Sequence, residues 1–310
     1  MPNKFYLPNL NPIQYYEVDA AELPQYLSKH MDKFSFTDTI EAWEEKVKFL
    51  QPWTINDSIR QQAQSNYAPI NLKLIDCDEN IFYDNNFQQQ QQNVNDDTLF
   101  IYQHDLDLSV YDEGVYFLKL SIGTPVALTL ISEPIYLGSG LNTLLIEFTN
   151  SVYYQDTIFE NGYAPAIRIP GKLRLKGLGA KDSIYEDQIL NTTTLNSKPF
   201  RIWELLIGGP AGIPDYLADK VNRILGCNTL SIDGRLFSKT EGSNMEDQGE
   251  DNYPMRGWKI ELRESINRNS KVFENEDQIS GQVVVVANVD SKGFGPDDNG
   301  GSIYQIRDIN

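Results

Sequence analysis

The sequence predicts a mainly β protein: an immunoglobulin/fibronectin-like β-sandwich followed by a β-rich (α+β) domain with one capped helix at about residues 213–226. Short apolar runs between turn signals recur at intervals of roughly 8–12 residues over residues 46–140, which is typical of sandwich domains. The 17 tyrosines and 14 phenylalanines favour strands. The strongest helical period in the chain lies within residues 213–226.

The chain divides into three predicted parts. Residues 1–45 are rich in Pro, Asn and Tyr and form an extended arm, with a short helix near residues 20–30. Residues 46–140 form the sandwich domain, and residues 141–310 form the second β-rich domain with a single packing helix. Residues 37–50 fit a helix, although the alternation at residues 46–49 also permits a strand.

Two segments of the sandwich domain have specific predictions. In LSVYDEGVYFLKL, residues 108–120, a turn precedes an alternating strand, and Tyr116 sits where a corner tyrosine bonds back to the upstream backbone. The polar run QQQQQ at residues 88–92, with asparagines on both sides, predicts a low-complexity loop.

The second domain is organised around residues 200–239. A strand at residues 201–207 leads through a Gly-rich loop into the helix, and Asp233-Gly234 predicts a hairpin turn. Residues 182–190 are predicted to be a polar link into this unit, and residues 241–252 an acidic, solvent-facing loop.

The helix has an apolar face made by Ile213, Leu217, Val221, Ile224 and Leu225. Lys220 falls on the other side. Asp215 complements the positive end of the helix dipole, and Gly226 is predicted to take a left-handed cap.

Composition excludes several classes of function. The formal net charge of −18 argues against nucleic acid and against an anionic membrane surface as partners.

Cys77 and Cys227 are predicted to be free thiols. The first residues lack a signal-peptide core, and no apolar run reaches the roughly 18 residues of a membrane helix. We therefore expect a soluble protein that is made in the cytosol and is not exported by the general secretory route.

Four patterns could carry chemistry or binding, and each has a simpler interpretation. The loop at residues 208–212 precedes a helix, but it lacks the Lys and Ser/Thr of a phosphate-binding loop and is predicted to be a structural turn. His104, Asp105 and Asp107 are predicted to form an exposed polar strand face rather than a metal site.

Acidic residues at 290–299 have the composition of a calcium loop without its spacing, and they predict an ordinary turn. Tyr153 and Tyr154, with nearby polar loops, could contact a saccharide or a protein, although scattered surface aromatics are the simpler interpretation. No catalytic, cofactor-binding or metal-binding residues are predicted, and no cofactor.

Several segments together resemble structural proteins of bacteriophage and prophage tail modules, of the distal-tail or baseplate kind. These segments are FLQPWTINDSIRQQAQSNYAPINLKLIDCDEN, IPDYLADKVNRILGCNTLSIDGRLFSK and YPMRGWKIELRESINRNS. The resemblance covers most of residues 45–285. It departs from the best-known distal-tail proteins in the N-terminal half, where a sandwich is predicted in place of their ring-forming β-barrel.

The resemblance implies a non-enzymatic virion component, made in the host cytoplasm, that joins tail parts or receptor-binding parts. The implied partners are further copies in a ring or another symmetric homo-oligomer, other tail or baseplate proteins, and a host surface glycan; membrane insertion is not expected. A carbohydrate-binding or adhesion protein that contacts the host surface is the alternative, and a glycan-processing enzyme is the third possibility.

Overall fold

The computed structural model describes residues 4–19, 23–28, 49–66, 69–123, 128–151, 153–186, 190, 192–248 and 255–264. The chain separates into two units, Met1–Asn267 and Arg268–Asn310, and every described residue lies in the first. The described residues contain 22 strands and two α-helices, so the predicted mainly β fold class is confirmed. The division into three domains stays a prediction.

Eleven strands and one short helix build the first sheet system. They are β1 (Phe5–Tyr6), β2 (Tyr15–Glu17), α1 (Leu23–Ser28), β3 (Gln51–Trp53), β4 (Ser58–Ser65), β5 (Ile70–Ile75), β6 (Ile81–Asn86), β7 (Gln88–Gln92), β8 (Phe100–Asp107), β9 (Gly114–Ile122), β10 (Leu128–Ser132) and β11 (Ile135–Leu137).

These strands form two packed sheets. One has the order β1-β4-β8-β7. In the other, β9 pairs with β5 on one edge and with β10 and β11 on the opposite edge, while β6, β2 and β3 extend it outward. All pairings are antiparallel except β3 with β11. The predicted arm therefore covers its own domain, because β1 and β2 each join one of the sheets.

Side chains alternate between the two faces of the sheet along β9, and apolar residues pack on both faces. Leu118, Leu120 and Ile122 enter the sandwich core with apolar side chains of β4, β5 and β8. Phe117 points the other way and packs against Leu27 of α1. The amphipathic α1 thus covers the outer face of this sheet, as the period of two along a strand requires.

The corner tyrosine is confirmed, because the Tyr116 hydroxyl donates to the Asp112 carbonyl at 2.9 Å. The polar loop predicted at residues 88–92 is wrong. These residues form β7, which pairs with β8. Backbone pairing with β8 makes this polar run a strand although its side chains are mostly exposed.

The second sheet system comprises eleven strands, a 3₁₀ turn and one helix. They are β12 (Thr143–Thr149), β13 (Tyr153–Tyr154), β14 (Thr157–Ile158), the turn Glu160–Gly162, β15 (Ala166–Glu186), β16 (Thr192–Ile207), β17 (Ile213–Pro214), α2 (Asp215–Ile224), β18 (Thr229–Ile232), β19 (Arg235–Lys239), β20 (Glu246–Asp247), β21 (Met255–Arg256) and β22 (Trp258–Glu264).

Six of these strands close into an antiparallel barrel. The pairing runs β12-β15-β16-β22-β19-β18, and β18 pairs back to β12. Leu217, Val221 and Ile224 of α2 belong to the same core as the inward-facing barrel residues. The predicted hairpin turn is present at Asp233 and Gly234, both with positive φ.

Two details of the predicted helix are wrong. Lys220 is only 6% exposed, and its ammonium group donates to the Asn11 carbonyl at 2.8 Å. Gly226 does not take the left-handed conformation, since its φ is not positive. A Cβ at this position would lie 2.7 Å from the Tyr154 hydroxyl oxygen, so close packing explains the glycine.

Buried polar contacts connect the two sheet systems. The Gln62 amide donates to the Ile158 carbonyl at 2.7 Å and accepts from the Ile158 N–H at 3.0 Å. Arg168 of β15 makes a two-pronged contact with Asp57, which precedes β4, at 2.6 and 2.7 Å. The barrel is thus held against the outer face of the β1-β4-β8-β7 sheet.

Cys77 and Cys227 are free thiols, as predicted. Among the described residues, no helix combines the length and the apolar character needed to cross a membrane. Residues 282–287 and 302–309, whose sequence also predicts strands, lie outside the described residues.

Candidate functional site

The most distinctive surface feature is a long two-stranded extension of the barrel. β15 and β16 pair from Gly171 opposite Ile207 to Glu186 opposite Thr192. The neighbouring strands stop early, because β12 reaches only Pro170 and β22 pairs no further than Ile202. Residues 177–186 and 192–201, here called the ribbon, therefore have no third strand. At about 3.3 Å per residue the ribbon extends roughly 30 Å.

Ion pairs and cation–π contacts anchor the base of the ribbon. Arg174 contacts Glu204 on the paired strand, and Lys176 contacts Glu261 on β22. The Arg263 guanidinium lies 3.9 Å from the centre of the Phe200 ring. These contacts fix the direction in which the ribbon leaves the barrel.

Two β-bulges interrupt the ribbon register. One lies between Leu175 and Gly177, where the barrel ends, and the other lies between Ser183 and Ile184. Bulges bend a strand and increase its twist. The ribbon is therefore not a flat continuation of the barrel wall.

Large apolar side chains of the ribbon face solvent. Leu178 is 77% exposed, Leu195 is 68% exposed and Ile184 is 63% exposed. Tyr185, and Leu190 near the tip, are also exposed. Single exposed apolar residues are ordinary, but several along one unsupported element are typical of an interaction surface.

The ribbon segment also differs in charge from the rest of the chain. Residues 177–201 hold three Lys and Arg residues and three Asp and Glu residues, whereas the whole chain has a net charge of −18. The extension is therefore neutral overall on a strongly acidic protein.

The sequence pattern does not predict the ribbon. It predicts a link at residues 182–190, but residues 182–186 lie in β15 and pair with β16. Strand prediction depends on an alternation of buried apolar and exposed polar side chains. Both faces of this ribbon are exposed, so that alternation is missing. One signal within it could have identified it: the threonine run at residues 192–194.

The Gly-rich loop has the geometry of a tight structural turn. Gly208, Gly209 and Gly212 all have positive φ. A Cβ at Gly212 would lie 2.5 Å from the Met255 carbonyl carbon, so this backbone packs directly against β21. The glycines serve close packing and backbone conformation.

The residues of the segment HDLD, at positions 104–107, point in different directions. His104 is 7% exposed, so the predicted exposed face is wrong for this residue. Asp105 pairs with Arg60 at 2.9 Å, and Asp107 accepts from the Ser109 N–H. Within the part of the chain that the structure describes, no cluster of His, Cys, Asp and Glu could hold a metal ion.

The remaining candidates are not brought together. Tyr153 is 42% exposed, while Tyr154 is partly buried against the barrel core. The acidic residues at 290–299 lie outside the described residues.

Comparisons with protein-family models, with curated proteins and with solved structures found no match.

Proposed function

We propose that this protein is a non-enzymatic structural subunit of a phage tail or baseplate, and that its copies assemble into a ring or another symmetric homo-oligomer through the ribbon. The observation that carries the proposal is the exposed apolar ribbon, which extends beyond every other strand of the barrel.

The ribbon has the properties of an element that is completed by a partner. A two-stranded hairpin is marginally stable in water without a third strand or a packing surface. Each of its strands also has an open edge with unpaired backbone groups. Leu178 and Ile184 lie an even number of residues apart on β15 and so share one face of the ribbon. A protein surface laid against this face would bury both side chains.

Charge permits a second copy of the chain as that partner. Residues 177–201 carry no net charge, and the remainder of the chain carries the whole of the −18 net charge. The ribbon of one subunit would therefore meet no net repulsion from the acidic body of the next. Such a contact joins two different surfaces, and repeated contacts of this kind form a ring when the rotation closes.

The resemblance of the sequence to tail-module proteins supports the virion assignment. The resembling segments supply β3 to β5, α2 with the hairpin after it, and β22. A closed barrel is present over residues 143–264, whereas the resembling distal-tail proteins have their ring-forming barrel in the N-terminal half. Neighbouring genes for a tape measure, a tail tube and fibres would support the assignment; a metabolic operon would contradict it.

Sedimentation velocity tests the assembly directly. The wild-type chain should form a discrete oligomer, and a variant carrying both Leu178→Asp and Ile184→Asp should sediment as a monomer with an unchanged circular dichroism spectrum. Two carboxylates on the proposed contact face would have to be buried without partners.

Val110→Asp is the matched control. Val110 is 73% exposed in the turn between β8 and β9, far along the chain from the ribbon. This variant should assemble as the wild type does. A wild-type chain that stays monomeric at high concentration, or a ribbon variant that still assembles, would overturn the proposal.

A further inference from the structure

A polar crevice opens beside β7 and β8, and the proposed assembly does not use it. Its volume is about 370 Å³, at the lower end of the range of roughly 300–1,000 Å³ for small-ligand sites. Residues of β4, β6, β7 and β8 line it together with Gly162 and Tyr163 from the second sheet system. It therefore lies where the two systems meet, a common location for binding sites.

Three glutamine side chains converge on the crevice. Gln88 and Gln103 are direct cross-strand partners, so both point to the same face of the sheet. Gln90 falls at the register shift between Gln89 and Gln91, where a bulge redirects the side chain toward the same opening. Within the described chain, none of the three side chains hydrogen-bonds to protein, so their donors and acceptors are free.

One wall of the crevice combines an aromatic ring with an unsatisfied imidazole. Tyr83 is half-buried and packs against His104, with 5.5 Å between ring centres. His104 is 7% exposed, and its Nε2 has no hydrogen-bond partner among the described residues. Burial lowers the pKa of His104, so at neutral pH this ring behind Tyr83 is uncharged.

The charges in the crevice are already paired with each other. Arg60 contacts Asp105 at 2.9 Å, and both line the cavity. The remaining polar lining consists of side-chain amides, Asn85 and Asn86 among them, and hydroxyls. An anion or a cation would find no unpaired opposite charge among the described residues that line this crevice.

We infer that this crevice binds a neutral saccharide. Carboxamides offer a donor and an acceptor on one small group, which matches the adjacent hydroxyls of a sugar ring. The Tyr83 ring provides a surface on which the apolar face of a sugar can pack. A phosphate, a sulfate or a metal ion would need charged groups that this lining does not leave free.

Binding to an array of oligosaccharides tests this inference. The array should contain neutral hexose and N-acetylhexosamine oligosaccharides beside sulfated and uronate-containing ones, and each hit should be titrated calorimetrically. We expect saturable binding to at least one neutral oligosaccharide. Gln103→Ala and Gln88→Ala should each weaken it by about fivefold or more, the loss of one or two hydrogen bonds.

Gln89→Ala is the matched control, because Gln89 neighbours Gln88 on β7, points to the opposite face and does not line the crevice. It should bind as the wild type does. Gln88 is exposed, so its substitution leaves the fold intact even if the change at Gln103 does not.

Three outcomes would overturn the inference. They are no binding to any neutral oligosaccharide at millimolar concentration, binding to the acidic oligosaccharides alone, and binding that both glutamine variants retain. The inference does not depend on the ribbon: the glutamine variants should sediment as the wild type does, and the ribbon variant should still bind the saccharide.

Discussion

At Lys220 a charged group is buried where the helix meets the N-terminal segment. Its ammonium group donates to the Asn11 carbonyl, and the negative charges of Glu133 and Asp156 partly compensate for its loss of water. Burial is the larger effect and lowers the pKa of Lys220 from 10.5 to about 8. Because of this pKa shift, the free energy of unfolding depends on pH in the alkaline range.

The direction of this dependence follows from proton binding. Between pH 8 and 10.5 the unfolded state binds more protons than the folded state, so Lys220 makes the free energy of unfolding rise with pH. We expect a contribution on the order of 3 kcal/mol across this window. Urea unfolding at several pH values should show that Lys220→Met removes this rise, while the exposed Lys172→Met retains it. Equal pH slopes in wild type and Lys220→Met would contradict the argument.

Tyr116 ties the start of β9 to the turn before it through one hydrogen bond. Tyr116→Phe removes the hydroxyl that donates to the Asp112 carbonyl and keeps the buried ring. The free energy of unfolding should fall by about 1 kcal/mol. Tyr153→Phe, at an exposed ring, should leave it unchanged. Chemical denaturation of both variants measures the difference.

At the scale of single elements, α2 is the clearest case of a sequence pattern that packing satisfies. Leu217, Val221 and Ile224 recur at helical spacing and are each at most 2% exposed within the barrel core. The helix stabilises the barrel mainly by this burial, because ten residues are too few for a stable isolated helix.

Truncation on the buried face of α2 should therefore be costly. Leu217→Ala should lower the free energy of unfolding by about 2–5 kcal/mol, the usual range for a leucine cavity. Asn222→Ala, at an exposed position of the same helix, should change it by no more than about 0.5 kcal/mol. Similar losses in both variants would show that α2 does not pack as described.

The ribbon and β7 show why some elements could not be predicted. Both are strands whose side chains are mostly exposed, so neither carries the apolar alternation on which prediction relies. Backbone pairing between β15 and β16, and between β7 and β8, makes these segments strands. The sequence therefore predicts a link at residues 182–190 and a loop at residues 88–92, although residues 182–186 and the glutamine run belong to the two proposed contact surfaces.

At the scale of the whole molecule, the contact between Arg168 and Asp57 connects the barrel to the sandwich. The Asp57 side chain is 4% exposed and the Arg168 side chain is 13% exposed. Arg168→Met would leave a buried carboxylate without its cation, which costs about 3–5 kcal/mol.

Thermal and urea unfolding of Arg168→Met should show this loss. Lys73→Met, which removes the more exposed pair between Lys73 and Asp84, should cost at most about 1 kcal/mol. If Arg168→Met is as stable as Lys73→Met, the pair does not hold the two systems together.

The sequence by itself determined the mainly β class, the positions of α2 and most core strands, the corner hydrogen bond of Tyr116 and the hairpin turn at Asp233. Each depends on neighbours close in the chain, where period, turn chemistry and capping act. Closure of the barrel, burial of Lys220, the unsupported ribbon and the glutamine-lined crevice depend on pairings between residues far apart in the chain. Local propensity contains no information about where β12 and β22 stop, and that difference in length leaves the ribbon exposed.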